Sequence, residues 1–161
     1  MRLSYNTFMT ISELQIMIQD IVKDAVVLKN KHTDQIKAPV NYACIFTHSQ
    51  KEYELLKNVA SQMGTVLEET DKGPLFHITH LTTVAGNLKI LKIRMPFANR
   101  PERGDADFTV HDYENFKKTY LSQSGFSLIA KPSFEMVELL DTKFDVLAYF
   151  SHPPLDEQYG L

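Results

Sequence analysis

Two charged residues on adjoining strand-like runs are the first candidates for chemistry in this chain. Arg94 lies near the end of the alternating run 88–95, and Asp107 lies in the run 105–110, with a basic, glycine-containing connection between them. An arginine on a concave sheet can bind a carboxylate or a phosphate through two parallel hydrogen bonds. Arg94 is therefore predicted to bind substrate, and the alternative is a solvated residue paired with Asp105 or Asp107.

Asp105 and Asp107 point to the same face of their predicted strand, because side chains alternate along a strand with a period of two. Neighbouring carboxyl groups raise one another's pKa, so Asp107 is a predicted catalytic base. The alternative is an exposed acidic pair at a strand start, beside Arg100 and Arg103.

His77 and His80 lie in the stretch HITH, whose surroundings indicate a strand. Side chains three residues apart on a strand point to opposite faces, so at most one histidine can face a cavity. His77 is the predicted catalytic histidine, and a partly buried imidazole with no such role is the alternative. We predict no metal cofactor. A divalent metal held by His77 and Asp107 is a weaker alternative.

Two tyrosines, Tyr42 and Tyr149, are predicted to line a substrate pocket, although aromatic residues on strands are also typical of a core. Cys44 is the only cysteine, which excludes an intrachain disulfide and a site with several thiolates. It lies in the apolar run Tyr-Ala-Cys-Ile-Phe, so a buried structural thiol is expected.

The composition is that of a globular protein, with 161 residues, 43% hydrophobic and 23% charged. The net charge of -3 argues against a nucleic-acid partner. No apolar run approaches the ~20 residues of a membrane span, and no signal peptide is recognisable. The single cysteine agrees with a cytoplasmic location.

The order of predicted elements repeats along the chain. A helix begins at Thr10, and residues 30–39 form a polar linker. The helices EYELLKNVASQMG (52–64) and DYENFKKTYLSQSG (112–125) align on a shared Tyr-Glu, lysine, Ser-Gln and final glycine. Each helix stands between predicted strands, which indicates a βαβββ unit present twice. We therefore predict an N-terminal segment 1–37, one domain 38–152 made of modules 38–98 and 104–152, and a tail 153–161.

A duplicated βαβββ unit resembles the vicinal oxygen chelate superfamily, which includes the glyoxalases, and within it the YecM-like group. The similar stretches here are Asn41-Tyr42-Ala43, Arg94-Met95-Pro96, and the run from Gly104 to Thr109. The resemblance implies an α+β fold in which tandem modules form a half-open, glyoxalase-like β-sheet around a shared cavity. It also places Tyr42, Arg94 and Asp107 where many members hold a divalent metal.

A guanidinium stays protonated and offers no lone pair to a metal, so Arg94 predicts that this metal site is lost or rebuilt. The expected function is a glyoxalase-like small-molecule enzyme, or a degenerate relative, acting on a small anionic metabolite that bears a carboxylate. The alternatives are a non-catalytic ligand-binding module and an interaction module. In the interaction module, the N-terminal helix would pack on a partner or on a second copy in a homodimer.

Overall fold

The computed structural model describes residues 8–161, so the first seven residues of the predicted segment 1–37 lie outside the described residues. These described residues form four helices and eight strands. In order they are α1 (Ile11–His32), β1 (Val40–Phe46), α2 (Gln50–Ala60), β2 (Gly64–Thr70), β3 (Gly73–Thr83), β4 (Gly86–Arg94), β5 (Gly104–Phe108), α3 (Tyr113–Tyr120), β6 (Phe126–Ala130), β7 (Glu135–Leu139), β8 (Val146–His152) and α4 (Leu155–Gln158).

The eight strands form one sheet in the order β2-β3-β4-β1-β5-β8-β7-β6. Within the first module β1 pairs with β4 in parallel, and within the second β5 pairs with β8 in parallel. The two modules meet where β1 and β5 pair antiparallel. The second half of the sheet therefore repeats the first in reverse order, which confirms the predicted α+β fold of tandem βαβββ modules.

One face of the sheet is covered by the helices. The buried side chains of α1, α2 and α3 share one core with the inward-facing residues of the strands. From α1 this core takes Leu14, Ile18, Ile21, Val22, Ala25 and Leu28, each with no exposed surface. The apolar side of α1 thus packs on the sheet of its own chain, so this side is not the uncovered surface that the interaction-module alternative expected.

The helix starts follow the predicted capping. The hydroxyl of Thr10 accepts a hydrogen bond from the backbone N–H of Glu13, and that of Ser49 accepts one from Glu52. The carboxylate of Asp112 caps α3 in the same way. Such caps satisfy backbone donors that the first helical turn leaves free, and each stabilises a helix by about 1 kcal/mol.

Residues 75–84 are predicted as one or two strands, and the structure has one long strand, β3, whose pairing with β4 shifts between His77 and Leu81. The structure differs from the predicted elements in two places. Alternation along 88–95 predicts one face for Leu88, Lys92 and Arg94, but Leu88 enters the helix-covered core. The tail contains a short helix, α4, which the sequence did not predict.

A glycine marks the joint between the modules. A side chain at Gly104 would collide with the backbone carbonyl of Cys44 on β1. Glycine therefore lets β5 begin its pairing at Ile45 without pushing the modules apart. Within residues 8–161 no helix is both long enough and apolar enough to cross a lipid bilayer.

Candidate functional site

The sheet face opposite α1, α2 and α3, which no long helix covers, is called the helix-free face, and it collects the predicted site residues. Residues opposite one another on paired strands share a face. Tyr42 lies opposite Asp107, and Asp107 opposite Tyr149, so these three stand in one row across β1, β5 and β8. The next row contains Lys92, Cys44 and Asp105, and Arg94 lies opposite Phe46 beyond it.

Asp107 is buried and fully engaged in hydrogen bonds. It accepts from the backbone N–H of Ser151 at 2.9 Å, from the Ser151 hydroxyl, and from the Asn41 amide at 3.4 Å. Burial raises its pKa to about 6, although the bonds from Ser151 and Asn41 work in the opposite direction. Asp107 on β5 therefore binds both β8 and β1. The contact with β1 crosses the boundary between the two modules.

Asp105 is also buried, but one of its carboxylate oxygens lacks a hydrogen bond. The residue is only 5% exposed, and its Oδ1 atom has no hydrogen-bond partner among the described residues. Burial and the nearby Asp107 raise its pKa well above the usual value, against the opposing effect of Lys92, Arg94 and Arg100. Buried polar atoms are almost always hydrogen-bonded, so this oxygen can accept a hydrogen bond from a water molecule or a ligand.

Arg94 and Lys92 bring two positive charges to the same face. The Arg94 guanidinium lies 5.2 Å from the ring centroid of Phe46 and 5.3 Å from that of Phe97. Neither Arg94 nor Lys92 forms an ion pair with any residue in the range 8–161. The alternative in which Arg94 pairs with Asp105 or Asp107 is therefore wrong.

The two arginines of the inter-module connection pair elsewhere. Arg100 contacts Glu138 at 3.2 Å and Glu102 at 3.6 Å. Arg103 pairs with Asp24 of α1 and with Asp145, away from the helix-free face. The alternative for Asp105 and Asp107 was an exposed acidic pair beside Arg100 and Arg103. It is wrong, because both aspartates are buried and both arginines pair with other carboxylates.

Tyr149 and Tyr42 both lie on the helix-free face. The Tyr149 hydroxyl donates to Glu138 at 2.6 Å, and burial, Asp105 and Glu138 raise its pKa. Burial and the neighbouring Cys44 raise the pKa of Tyr42. Cys44 is a buried free thiol whose pKa burial also raises, so it is the inert structural cysteine that was predicted.

His77 stands apart from this group. It lies on β3 opposite Ile90, half-buried, and two strands away from Tyr42 on β1. Three strand spacings separate β3 from β5, or ~14 Å at the usual spacing of strands. His77 shares the helix-free face with the row of Tyr42, Asp107 and Tyr149, but that row lies at the module boundary and His77 does not.

The donor set does not fit a resident metal. Among residues 8–161, no three His, Cys, Asp or Glu side chains are grouped closely enough to hold an ion. His77 and Asp107 stand on non-adjacent strands, and Asp107 is already used by Ser151 and Asn41. At the fourth-strand position Arg94 adds a fixed positive charge, which repels a cation.

Two chain segments lie over the helix-free face. The connection between the modules contacts the second module, where Arg100 binds Glu138 of β7. The tail contacts the first module: the N–H of Leu155 donates to Asn41 on β1 at 3.4 Å, and the Tyr159 hydroxyl donates to Glu68 on β2 at 2.8 Å. These two segments shield polar side chains on a face that α1, α2 and α3 do not cover.

A separate hollow of about 340 Å³ lies on the other side of the sheet, between α1 and the start of α2. Its lining includes Glu13, Asp20, His48 and Glu52 around apolar side chains. It contains none of the predicted site residues.

The comparison with solved structures bears on the fold. The structural-genomics protein EC4020 (YecM) superimposes with a TM-score of 0.62 at 16% identity, over 83% of this chain and 86% of that one. The two proteins therefore share one fold over most of their length. Glyoxalase I from Zea mays is also similar, with a TM-score of 0.43 and 16% identity over 70% of this chain and 42% of the maize protein. No family model and no curated protein matches the sequence.

The strand order accounts for where the candidate residues stand, since the first and last strands of both modules meet at the centre of the sheet. Sequence reasoning found the residues of the central row. It named Asp105 only as the neighbour of Asp107 and did not name Lys92 as a site residue, although both follow from alternation once Asp107 and Arg94 are placed on the helix-free face. The full engagement of Asp107 depends on Ser151 and Asn41, and no local pattern could have indicated it.

Proposed function

We propose that the helix-free face binds a small anionic molecule that bears a carboxylate, as expected for a small-molecule enzyme or binding protein of this fold. The observation that supports the proposal is the pair Lys92 and Arg94, two cations on one strand face without an ion-pair partner in residues 8–161. An arginine is suited to this role because its guanidinium can donate two parallel hydrogen bonds to a carboxylate.

The acids of the helix-free face leave these two charges available. Asp107 is engaged by Ser151 and Asn41, and Glu138 is engaged by Arg100 and Tyr149. Asp105 lies in the row of Lys92, but burial and Asp107 raise its pKa and so favour its neutral form. A ligand carboxylate can therefore provide the negative charge that the protein does not.

Two aromatic rings hold the Arg94 side chain in place. Contacts with Phe46 and Phe97 each contribute about 0.5–1 kcal/mol of cation–π attraction at a partly exposed site. They also limit the rotamers of a long side chain before a ligand arrives. Binding then costs less conformational entropy, so the site is preorganised for an anion.

The same anion site serves an enzyme and a non-catalytic binding protein, because each must first bind its ligand. In the enzyme, His77 or Asp107 would move a proton, and both remain predictions. Asp107 would first have to give up a hydrogen bond from Ser151 or Asn41. His77 has no such engagement, but its side chain would have to reach across β4 to a ligand at the module boundary.

Replacement of Arg94 by methionine tests the proposal. Methionine keeps an apolar stem against Phe46 and Phe97 but removes the charge. Acetate, propionate and succinate should raise the melting temperature of the wild type, and Arg94→Met should weaken their binding by about tenfold to a hundredfold. This corresponds to the loss of about 1.5–3 kcal/mol from charged hydrogen bonds.

The matched control is Lys51→Met, which removes one positive charge from the exposed side of α2. It should bind each carboxylate as the wild type does. Equal binding by Arg94→Met and the wild type would refute the anchoring role of Arg94. No response of the wild type to any small carboxylate or phosphate would refute the proposed function itself.

A further inference from the structure

The two edge strands of the sheet differ in how they are protected from pairing with another chain. The strand order places β2 at one edge and β6 at the other. Strand β2 has a bulge in its pairing with β3 and carries Glu68 and Glu69, and the tail contacts it through Tyr159. A bulge, charged side chains and a covering segment all keep an edge strand from further pairing. Strand β6 pairs with β7 in regular register without a bulge.

The β6 edge is apolar and uncharged. The strand reads Phe-Ser-Leu-Ile-Ala, and residues 122–130 contain no charged side chain. Side chains alternate along a strand, so Leu128 lies on the same side as Phe126, which belongs to the helix-covered core. Leu128 is nevertheless 41% exposed. The apolar side of the sheet therefore extends to this edge, where a large side chain remains open to solvent.

The hydrogen bonds at the two ends of β6 show how its backbone is oriented. Before the strand, the carbonyl of Gly125 accepts from the N–H of Leu140, and after it, the N–H of Lys131 donates to the carbonyl of Phe134. Leu140 and Phe134 flank β7, so both of these bonds point toward β7. Bonding directions alternate along an antiparallel strand, so the odd-numbered residues between Gly125 and Lys131 bond toward β7 as well.

The even-numbered residues of β6 therefore present backbone groups to the open edge. Leu128 and Ala130 each direct an N–H and a carbonyl away from β7. Phe126 directs its carbonyl there too, while its N–H donates to the carbonyl of Gln123 at 3.3 Å. Within residues 8–161 no strand lies beyond β6, because β6 is last in the strand order. These groups are thus available to a further strand.

The available groups are symmetric about Leu128, so they match a second copy of the same strand. When two β6 strands run antiparallel about a twofold axis at Leu128, each Leu128 N–H meets the Leu128 carbonyl of the other copy. Each Ala130 N–H meets the Phe126 carbonyl of the other copy in the same way. The two Leu128 side chains then lie side by side, with about 5.5 Å between their Cα atoms, and cover one another.

The charges near the edge also favour a second copy as the occupant. Lys131 is the first charged residue after the strand, and the twofold axis sends the two copies of Lys131 to opposite ends of the paired strands. They are then six residues apart along the strand direction, or about 20 Å at the usual rise per residue. This distance exceeds the screening length of about 8 Å at physiological ionic strength. The same pairing at β2 would bring glutamates of both copies together.

We propose that two copies of the chain form a dimer by antiparallel pairing of their β6 strands about a twofold axis at Leu128. The two sheets would become one continuous sheet. A five-residue strand contributes a small interface, so the dimer should be weak, with a dissociation constant of about 10–500 µM. The interface lies at the sheet edge and does not involve the anion site at the module boundary, so it does not depend on the proposed function.

Sedimentation equilibrium between about 10 µM and 1 mM tests the dimer. The mean mass of the wild type should rise from that of one chain toward that of two. Leu128→Lys places two like charges opposite one another at the axis, so it should raise the dissociation constant by at least about tenfold. Ala130→Pro removes an outward N–H that β7 does not use, and proline is tolerated at such edge positions, so it should weaken the dimer similarly. Thermal unfolding checks that both variants fold, and either one that folds decides the test.

The matched control is Val66→Lys, which makes the same kind of substitution at a residue 48% exposed on the other edge strand, β2. It should dimerise as the wild type does. A wild type that remains monomeric over the whole range, or a dimer that the β6 variants keep, would overturn the proposal. Loss of the dimer in Val66→Lys would overturn it too, because β6 would then pair with β2 of the other copy. A monomeric wild type that binds the peptide SGFSLIAK would show an edge that accepts an extended segment but forms no dimer.

Discussion

Replacement of Asp107 by alanine should lower the melting temperature by roughly 6–12 °C, equivalent to about 3 kcal/mol for a chain of this length. The carboxylate accepts the backbone N–H and the hydroxyl of Ser151, and also the amide of Asn41. Alanine would leave these buried donors without an acceptor and create a cavity between β1, β5 and β8. Unsatisfied buried donors each cost about 1–3 kcal/mol, so the cost should be large. Thermal and urea unfolding would measure it.

Two further variants separate hydrogen bonding from charge at this position. Asp107→Asn keeps the shape and one acceptor for the Ser151 N–H, so it should be clearly less destabilising than alanine. The cost of Asp107→Ala should also be smaller when Ser151 is already alanine, because one of the stranded donors is then absent. An Asp107→Ala variant as stable as the wild type would show that Asp107 does not join the two modules.

The modular fold could be predicted from the sequence because its signals are local. Thr10 and Ser49 cap helices through residues three positions away, and strand alternation is visible within a few residues. The repeated order of elements then fixes the number of strands in each module. The short helix α4 gives no such signal, since it has only four residues and contacts from the tail to Asn41 and Glu68 hold it in place.

Local sequence signals could not show that Asp105 and Asp107 have different hydrogen-bond partners. The two residues share a strand and a face, so every local pattern treats them alike. Their difference comes from Ser151, which is 44 residues from Asp107, and from Asn41, which is 66 residues from it. Ser151 and Asn41 donate their hydrogen bonds to Asp107, and the Oδ1 atom of Asp105 has no partner among the described residues. Only the register between strands β1, β5 and β8 decides this.

The pairing register of the strands also decides which side chains contact Arg94. Alternation placed it on one face with Lys92, and that was sufficient to make it a ligand candidate. Alternation could not tell whether an aspartate would neutralise it. In the structure Asp105 lies opposite Cys44, and Arg94 lies opposite Phe46 one row away. The guanidinium therefore contacts aromatic rings and not a carboxylate.

The largest pH effect on stability should come from Asp105, and Asp105→Asn should remove it. Burial and Asp107 raise the pKa of Asp105 in the folded state well above its unfolded value, which is about 3.9. Between these two values the folded state holds a proton that the unfolded state has lost. The stability of the wild type therefore falls as the pH rises above about 4. One such proton changes the free energy of unfolding by up to about 1.4 kcal/mol per pH unit, which corresponds to roughly 3–6 °C.

The neutral amide of Asp105→Asn has no such dependence, so its melting temperature should exceed that of the wild type by an amount that grows with pH from about 4 upward. Carboxylates with a lowered pKa that do not act on Asp105, such as Glu135, contribute in both proteins and cancel in the difference. Asp20→Asn, which makes the same substitution at an exposed site on α1, is the control. If Asp105→Asn is instead less stable than the wild type at every pH, Asp105 is ionised and compensates Lys92 and Arg94. A ligand anion would then find those charges already neutralised, which would count against the proposed binding site.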